Sequence, residues 1–513
     1  MTIRASSGII EVVAKLVIKK SLGKGVSPYH IRSVLLSGRG EIGRRARFRF
    51  WWGNTRGGSS PLARIFFQFL TMTLWNPTSW QDKNTAQQPN YADSASLTAT
   101  VEKLSSLPPL VSSWEIETLK SQLADAANGK RFLLQAGDCA ERFADCTPER
   151  ITGQLKVLLQ MSLVLVHSTK NRVIRVGRLA GQYAKPRSSD VETIDGVTLP
   201  SYRGDLVNDI EFSEIARTPN PNRLLRGFER SAMTINFVRA LIDGGFADLH
   251  HPEYWDLSFV EHSPKASEYQ SIVASIAESL RFMETLAGES VGAINRVEFF
   301  TSHEGLHLHY EQAQTRQVPR RDGWYDLSCH FPWIGARTTT VDGGHVEFFK
   351  GIANPIGIKI GTHEVDIEQL FDILHPNNEP GRITLIHRYG ADKISTELPK
   401  LIDAVKATGK QCLFISDPMH GNTERTEVGI KTRNFDSILS ELEQSIDVHK
   451  QSDSILGGVH VEVCGQNVTE CTGGARGLDE SGLGDAYETL VDPRLNYEQA
   501  IELAMLIGQK LGK

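Results

Sequence analysis

RFLLQAG at 131–137 is the first of eight similar runs, followed by RVIRVG (172–177), RVEFFTS (296–302), WYDLSCHFPWIG (324–335), IGIKIG (356–361), RITLIHR (382–388), QCLFIS (411–416) and LGGVHVEV (456–463). These are largely short apolar runs bounded by Gly, a charge or a polar residue, with helical stretches in between. Strands alternating with helices pair in parallel through helical crossovers. Eight such units are the number that closes a TIM-type (β/α)8 barrel, the α/β fold expected here. A doubly wound open sheet is the alternative.

The gap at 178–295 is too long for a simple crossover. It contains NRLLRGFERSAMTINFVRALIDGG and ASEYQSIVASIAESLRFMETLAG, so a helical insertion is expected at about 190–295. Regulation and subunit contact are its candidate roles. Upstream, WNPTSWQDKNTAQQPNY reads as an extended arm, and LTATVEKLSSL and SSWEIETLKSQLADAANGK read as helices. Ser113 is the expected cap of the second helix and Gly129 its stop. The expected organisation is a leader over 1–71, an arm with helices over 72–130, and a catalytic barrel over 131–513.

Charge divides the chain. Residues 1–70 carry 13 Lys or Arg against Glu11 and Glu41 alone, leaving 43 basic and 59 acidic residues in 71–513. The Arg-rich leader reads either as an organelle-targeting segment (plastid or mitochondrion) or as an extension upstream of a start at Met72. The acidic remainder would repel a phosphate backbone, which sets nucleic acid aside. No apolar run approaches the ~20 residues that cross a bilayer. Six cysteines in 513 residues are too sparse for a disulfide scaffold and point to a reducing compartment, with the cytoplasm expected.

In a barrel every strand's carboxyl end faces one mouth, where active sites sit. Arg178 closes the second run, with Lys185, Arg187 and Ser188 just beyond it in AKPRS. Arg337 follows the fourth run, Lys359 lies in the fifth and Arg388 ends the sixth. One such cation is ordinarily a surface ion pair. Six at one topological position repel one another unless anions occupy the mouth. Two small anionic substrates are therefore expected.

Metal-ligand types occupy the same places. Cys139 follows the first run, His420 the seventh, Glu462 lies in the eighth, and Asp492 sits in a loop beyond. A lone buried Cys is usually a small hydrophobe. A carboxylate in an apolar strand, as at 462, needs a partner. Thiolate, imidazole and carboxylate together suit a divalent transition ion such as Mn, Co, Fe or Zn. His303-Glu304-Gly305-Leu306-His307 matches the zinc-protease pattern, but it straddles a strand end and a helix start, where the two histidines would not share a helix face.

The blocks WNPTSW, LLQAGDCAERF, RLAGQYAKPRS, YRGD, TSHE, WIGAR, NPIGIKIG, RITLIHRYG, SDPMHGNT, HVEVCGQNVTEC and DPRLN, in this order from about Trp75 onward, resemble the type II (plant-type) 3-deoxy-D-arabino-heptulosonate 7-phosphate (DAHP) synthases. The resemblance implies a metal-dependent transferase that condenses phosphoenolpyruvate with erythrose 4-phosphate and water, releasing phosphate, at the first step of the shikimate pathway to chorismate and the aromatic amino acids. It implies one divalent ion, Mn or Co before Mg, Fe or Zn, on Cys139, His420, Glu462 and Asp492. It puts phosphoenolpyruvate on Arg178, Lys185, Glu304, Trp333, Arg337, Lys359 and Arg388, with the peptide N–H of Ala336. Arg187 and Ser188 would hold the sugar phosphate. Lys185, Glu304 and His420 are the implied catalytic groups. It also implies a homo-oligomer, dimer or tetramer, and aromatic amino acid effectors. Departures from the family pattern are Ala336 in WIGAR, HRYG at 387–390 and GTHE at 361–364. They leave open a secondary-metabolism paralogue with an amino-sugar acceptor, or a non-catalytic regulatory relative.

Overall fold

Gly137 at the end of the first strand lies opposite Arg178 on one side and Glu462 on the other, and the architecture grows from that register. The computed structural model describes residues 75–244, 266–287, 297–361 and 365–512. The eight runs supply eight parallel strands: β1 (Arg131–Gly137), β2 (Arg172–Arg178), β3 (Phe300–Thr301), β4 (Trp333–Ile334), β5 (Ile356–Ile360), β6 (Ile383–His387), β7 (Leu413–Ser416) and β8 (Leu456–Glu462). In space they run β3-β2-β1-β8-β7-β6-β5-β4. The ends of that order meet just past β3, where Trp333 N donates to His303 O at 3.1 Å and Gly305 N donates to Trp333 O at 3.0 Å. The sheet is thus curled into the expected TIM-type barrel, with every strand beside its neighbours in sequence.

Strand lengths follow side-chain chemistry. The strands are buried along nearly their whole length, as strands covered on both faces must be. The fourth run divides. Trp324–Asp326 leaves the barrel to pair antiparallel with Thr315–Gln317, and only Trp333–Ile334, after Pro332, joins the parallel ladder. Of the third run only Phe300–Thr301 pairs.

The helix Ser113–Ala127 closes the amino-terminal end of the barrel. Its Leu119, Leu123 and Ala126 pack against Leu133, Ile174, Leu413 and Ile415. It forms the barrel's floor. Its cap is Ser112, one residue before the one expected. The Ser112 hydroxyl accepts from Glu115 N while the Glu115 carboxylate accepts from Ser112 N, a reciprocal capping box. Gly129 follows the Asn128 cap with φ +70°, as expected for the stop.

Above the floor the interior turns polar. Gln135 Nε2 donates to Ser302 Oγ at 3.1 Å, and its Oε1 lies 2.8 Å from His460 Nδ1. Above that layer lie the strand-end residues. Of the long insertion the hairpin Val191–Ile194/Val197–Pro200 and the helices Asn222–Asp243 and Ala266–Ala287 are described. The leader over 1–71, most of GTHE (362–364) and positions 245–265 and 288–296 lie outside the described residues. No helix among the described residues is long and apolar enough to cross a membrane.

Candidate metal and anion site

Cys139, Glu462 and Asp492 come from three parts of the chain, and one ligand atom of each lies within 4.8 Å of the others. The first two arrive together because β1 and β8 are adjacent and in register. Gly137 has φ +148°, and a Cβ there would come within 2.6 Å of the Arg178 carbonyl oxygen, so the turn that lifts Cys139 over the mouth requires glycine. His420 stands beside this trio, its Nε2 3.1 Å from Glu462 Oε1. Its Nδ1 is held 2.8 Å from Asp417 Oδ2.

Buried cations surround these acids. Arg178 donates to Glu462 Oε1 at 2.8 Å, and Arg433 donates to Glu462 Oε2 at 2.7 Å. Lys185 Nζ lies 2.9 Å from Cys139 Sγ and 3.0 Å from Asp492 Oδ2. Lys359 Nζ is 3.0 Å from Asp417 Oδ2. Both Arg178 and Lys359 lie over the Trp333 ring, at 5.3 and 5.7 Å from its centroid. The aromatic face attracts both cations in addition to their ion pairs with Glu462 and Asp417.

Protonation follows from these neighbours. Burial opposes ionisation of Glu462, but His420, Lys185, Arg433 and Arg178 hold its pKa well below the usual carboxylate range. Burial likewise disfavours the Lys185 charge, yet Cys139, Asp492 and Glu462 outweigh it and raise its pKa. Lys359 goes the other way: burial lowers it to about 8 despite Asp417. The Cys139 thiol is pushed up to about 12 by burial and then by Glu462. Burial raises Glu304 against the pull of Lys359, Lys185 and Arg337. Its Oε1 is buried without a hydrogen-bond partner, pressed against Gly335 where a Cβ would collide with it.

The donor set fits a divalent ion. It offers one sulfur, two ionised carboxylates and an imidazole whose far nitrogen is fixed by a carboxylate, the arrangement that orients metal-bound histidine.

The remaining expected residues are placed less centrally. Arg388 is half-buried with its Nε unpartnered, Ala336 is half-buried and Arg337 is exposed. Arg187 pairs with Glu192 of the 191–200 hairpin at 2.6 Å, and Ser188 is exposed, so the structure does not bring either into the buried cluster. Of six expected strand-end cations, three are buried together: Arg178, Lys185 and Lys359. Sequence reasoning missed Asp417, Arg433 and His460. Asp417 and His460 lay inside quoted motifs, three residues before His420 and two before Glu462. Arg433 gave no signal. The two histidines of the protease-like pattern turn elsewhere, His303 Nε2 to Glu311 Oε1 at 2.9 Å and His307 Nε2 to Tyr91 Oη at 2.6 Å. The following helix starts only at Leu308.

A family model described as the class-II DAHP synthetase family matches residues 75–508. The chain belongs to that family. Among similar proteins, the phospho-2-dehydro-3-deoxyheptonate aldolase of Neurospora crassa is 47% identical over 452 residues, covering 85% of this chain and 94% of that protein. That of Streptomyces coelicolor is 46% identical over 433 residues, covering 84% and 96%. The aldolase AroG of Mycolicibacterium smegmatis is 45% identical over 438 residues, covering 84% and 93%. The resemblance to the type II DAHP synthases is thus the family relation of this chain.

Proposed function

We propose that this chain is a DAHP synthase, joining phosphoenolpyruvate to D-erythrose 4-phosphate and water to give 3-deoxy-D-arabino-heptulosonate 7-phosphate and inorganic phosphate. The observation that carries the reading is the burial of Arg178, Lys185 and Lys359 around the Cys139–Glu462–Asp492 trio at one barrel mouth. A site with that many desolvated cations and a metal-type donor set is suited to small phosphorylated anions.

Cys139, His420, Glu462 and Asp492 would hold one divalent ion, Mn or Co before the others. Bound there, the ion would supply Lewis-acid polarisation of a carbonyl oxygen. The chain's own groups do the rest. Arg178, Lys359 and Arg388, with Arg337 and the Ala336 N–H at the rim, would hold the carboxylate and phosphate of phosphoenolpyruvate. Arg offers a fork and Lys a point charge for these groups. Trp333 would keep Arg178 and Lys359 in place beneath that anion. Arg187 and Ser188 would receive the sugar phosphate from the outer side. Lys185, kept protonated by its acidic neighbours, would give a proton to the aldehyde oxygen as carbon 3 of phosphoenolpyruvate attacks. Glu304, whose Oε1 lacks a partner, would orient the water that adds at carbon 2. Holding both reactants in register removes much of the entropic barrier.

A homodimer or tetramer with aromatic amino acid effectors belongs to this proposal, as does a reducing compartment, cytoplasmic or within an organelle, which the six unpaired cysteines suit. The test is phosphate release from phosphoenolpyruvate by the Mn- or Co-loaded protein. Release that depends on erythrose 4-phosphate is expected, and none with that acceptor would sink the reading.

A further inference from the structure

Both carboxylates of the trio are gripped on their outer oxygens by one short hairpin. It pairs Thr423–Arg425 antiparallel with Lys431–Arg433, leaving the barrel directly after His420. Residues two apart on a strand share a face, so Lys431 and Arg433 turn inward together. Lys431 Nζ contacts Asp492 Oδ1, and Arg433 donates to Glu462 Oε2 at 2.7 Å. The opposite oxygens face the cluster, where Arg178 donates to Glu462 Oε1 at 2.8 Å and Lys185 Nζ lies 3.0 Å from Asp492 Oδ2. Asp492 Oδ2 lies 3.7 Å from Cys139 Sγ, and Glu462 Oε1 lies 3.1 Å from His420 Nε2.

The hairpin is itself well anchored. Arg433 is fully buried, contacts Pro493 O next to Asp492, and donates from Nε to Thr423 Oγ1 at 2.9 Å. Tyr487 Oη donates to Lys431 O at 2.6 Å. One element therefore fixes the 462 and 492 segments with respect to each other. A charged partner on the outer oxygen of a ligating carboxylate fixes the rotation of that carboxylate, as outer-shell partners of metal ligands do.

We propose that Lys431 and Arg433 are positioning residues, a clamp that fixes the outer oxygens of Glu462 and Asp492 and so holds both carboxylates with their inner oxygens turned toward a divalent ion. This rests on reading the trio as a metal site. Orientation and electrostatics predict opposite effects here, which makes the clamp testable. If the two cations merely repel the ion, removing one tightens binding. If they orient its ligands, removing one weakens binding, by the 10- to 100-fold typical of lost outer-shell partners.

Full-length protein stripped with a chelator is titrated with Mn2+, the free ion being followed by its electron paramagnetic resonance signal. The Lys431 side chain is 32% exposed, so K431M retains the fold even where a change at buried Arg433 does not. K431M and R433K are expected to raise the Mn2+ dissociation constant about tenfold or more, while K431R, which keeps the contact, restores it. An unchanged or tighter constant in K431M overturns the clamp alone. Wild-type protein that takes up no Mn2+ overturns the metal site and the clamp with it.

Discussion

Lys185 Nζ lies 2.9 Å from Cys139 Sγ, so the segment after β2 delivers a buried ammonium to the sulfur that follows β1. Its other neighbours, Asp492 Oδ2 at 3.0 Å and Glu462 Oε1 at 3.6 Å, keep it charged. A proton donor placed there contributes on the order of 100-fold or more to a rate. K185M should therefore lower kcat by at least about 100-fold while still binding Mn2+, since the donor atoms remain. Steady-state kinetics alongside a metal titration checks this. A kcat within a few-fold of wild type would remove Lys185 from the chemistry.

Loss of the sulfur should act on the ion rather than on the fold. A ligand that binds only the folded state stabilises it by about 2.7 kcal/mol at 100 times its dissociation constant. Adding Mn2+ to chelator-stripped wild-type protein should raise Tm, and C139S, similar in size, should lose most of that rise and the metal-dependent activity with it. Differential scanning calorimetry of both proteins decides the matter. An equal Mn2+-dependent rise in C139S would exclude Cys139 as a ligand.

The barrel was legible because burial on both faces forces strands to be short and apolar, and each of the eight runs contains one barrel strand. The boundaries were less legible. WYDLSCHFPWIG looks continuous, yet Trp324–Asp326 has its own antiparallel partner and only Trp333–Ile334 enters the barrel. The site was legible where residues sit at strand ends, as with Arg178, Lys359 and Glu462. It was not legible where loop geometry decides. Arg433 reaches Glu462 from a hairpin 29 residues away, with no periodic pattern to announce it. Arg187, in contrast, lies only two residues beyond Lys185 but pairs outward with Glu192.

The floor helix offers a stability test remote from the chemistry. The reciprocal bonds between Ser112 and Glu115 satisfy helix N–H groups that would otherwise lack partners. S112A should cost about 1 kcal/mol, seen as a lower denaturation midpoint with an unchanged denaturant slope. S113A should cost less, because its hydroxyl is not the cap. Equal effects of the two substitutions would contradict the assignment of the cap to Ser112.

Glu441 ties the segment after β6 to the one after β7, and its titration should be visible in stability. Its Oε1 accepts from Tyr389 N at 2.9 Å and its Oε2 from Asn422 Nδ2 at 2.7 Å. Burial raises its pKa from 4.5 to about 7 against the lowering effect of the Tyr389 and Gly390 amides. The folded state therefore holds this proton more tightly than the unfolded chain does. The resulting stability is fully present below about pH 4.5 and is lost as pH rises through about 7. The expected loss is on the order of 3 kcal/mol across that window. In E441Q nothing titrates at this position. The amide still accepts from Tyr389 N but forfeits the Asn422 bond, an offset of about 1 kcal/mol that does not vary with pH. The stability difference between wild type and E441Q, measured by urea unfolding from pH 5 to pH 8, should thus favour wild type most at the acidic end and shrink or reverse at the alkaline end. A difference that is flat with pH would show that Glu441 titrates alike in the folded and unfolded chains, and that the two segments are joined by an ordinary carboxylate.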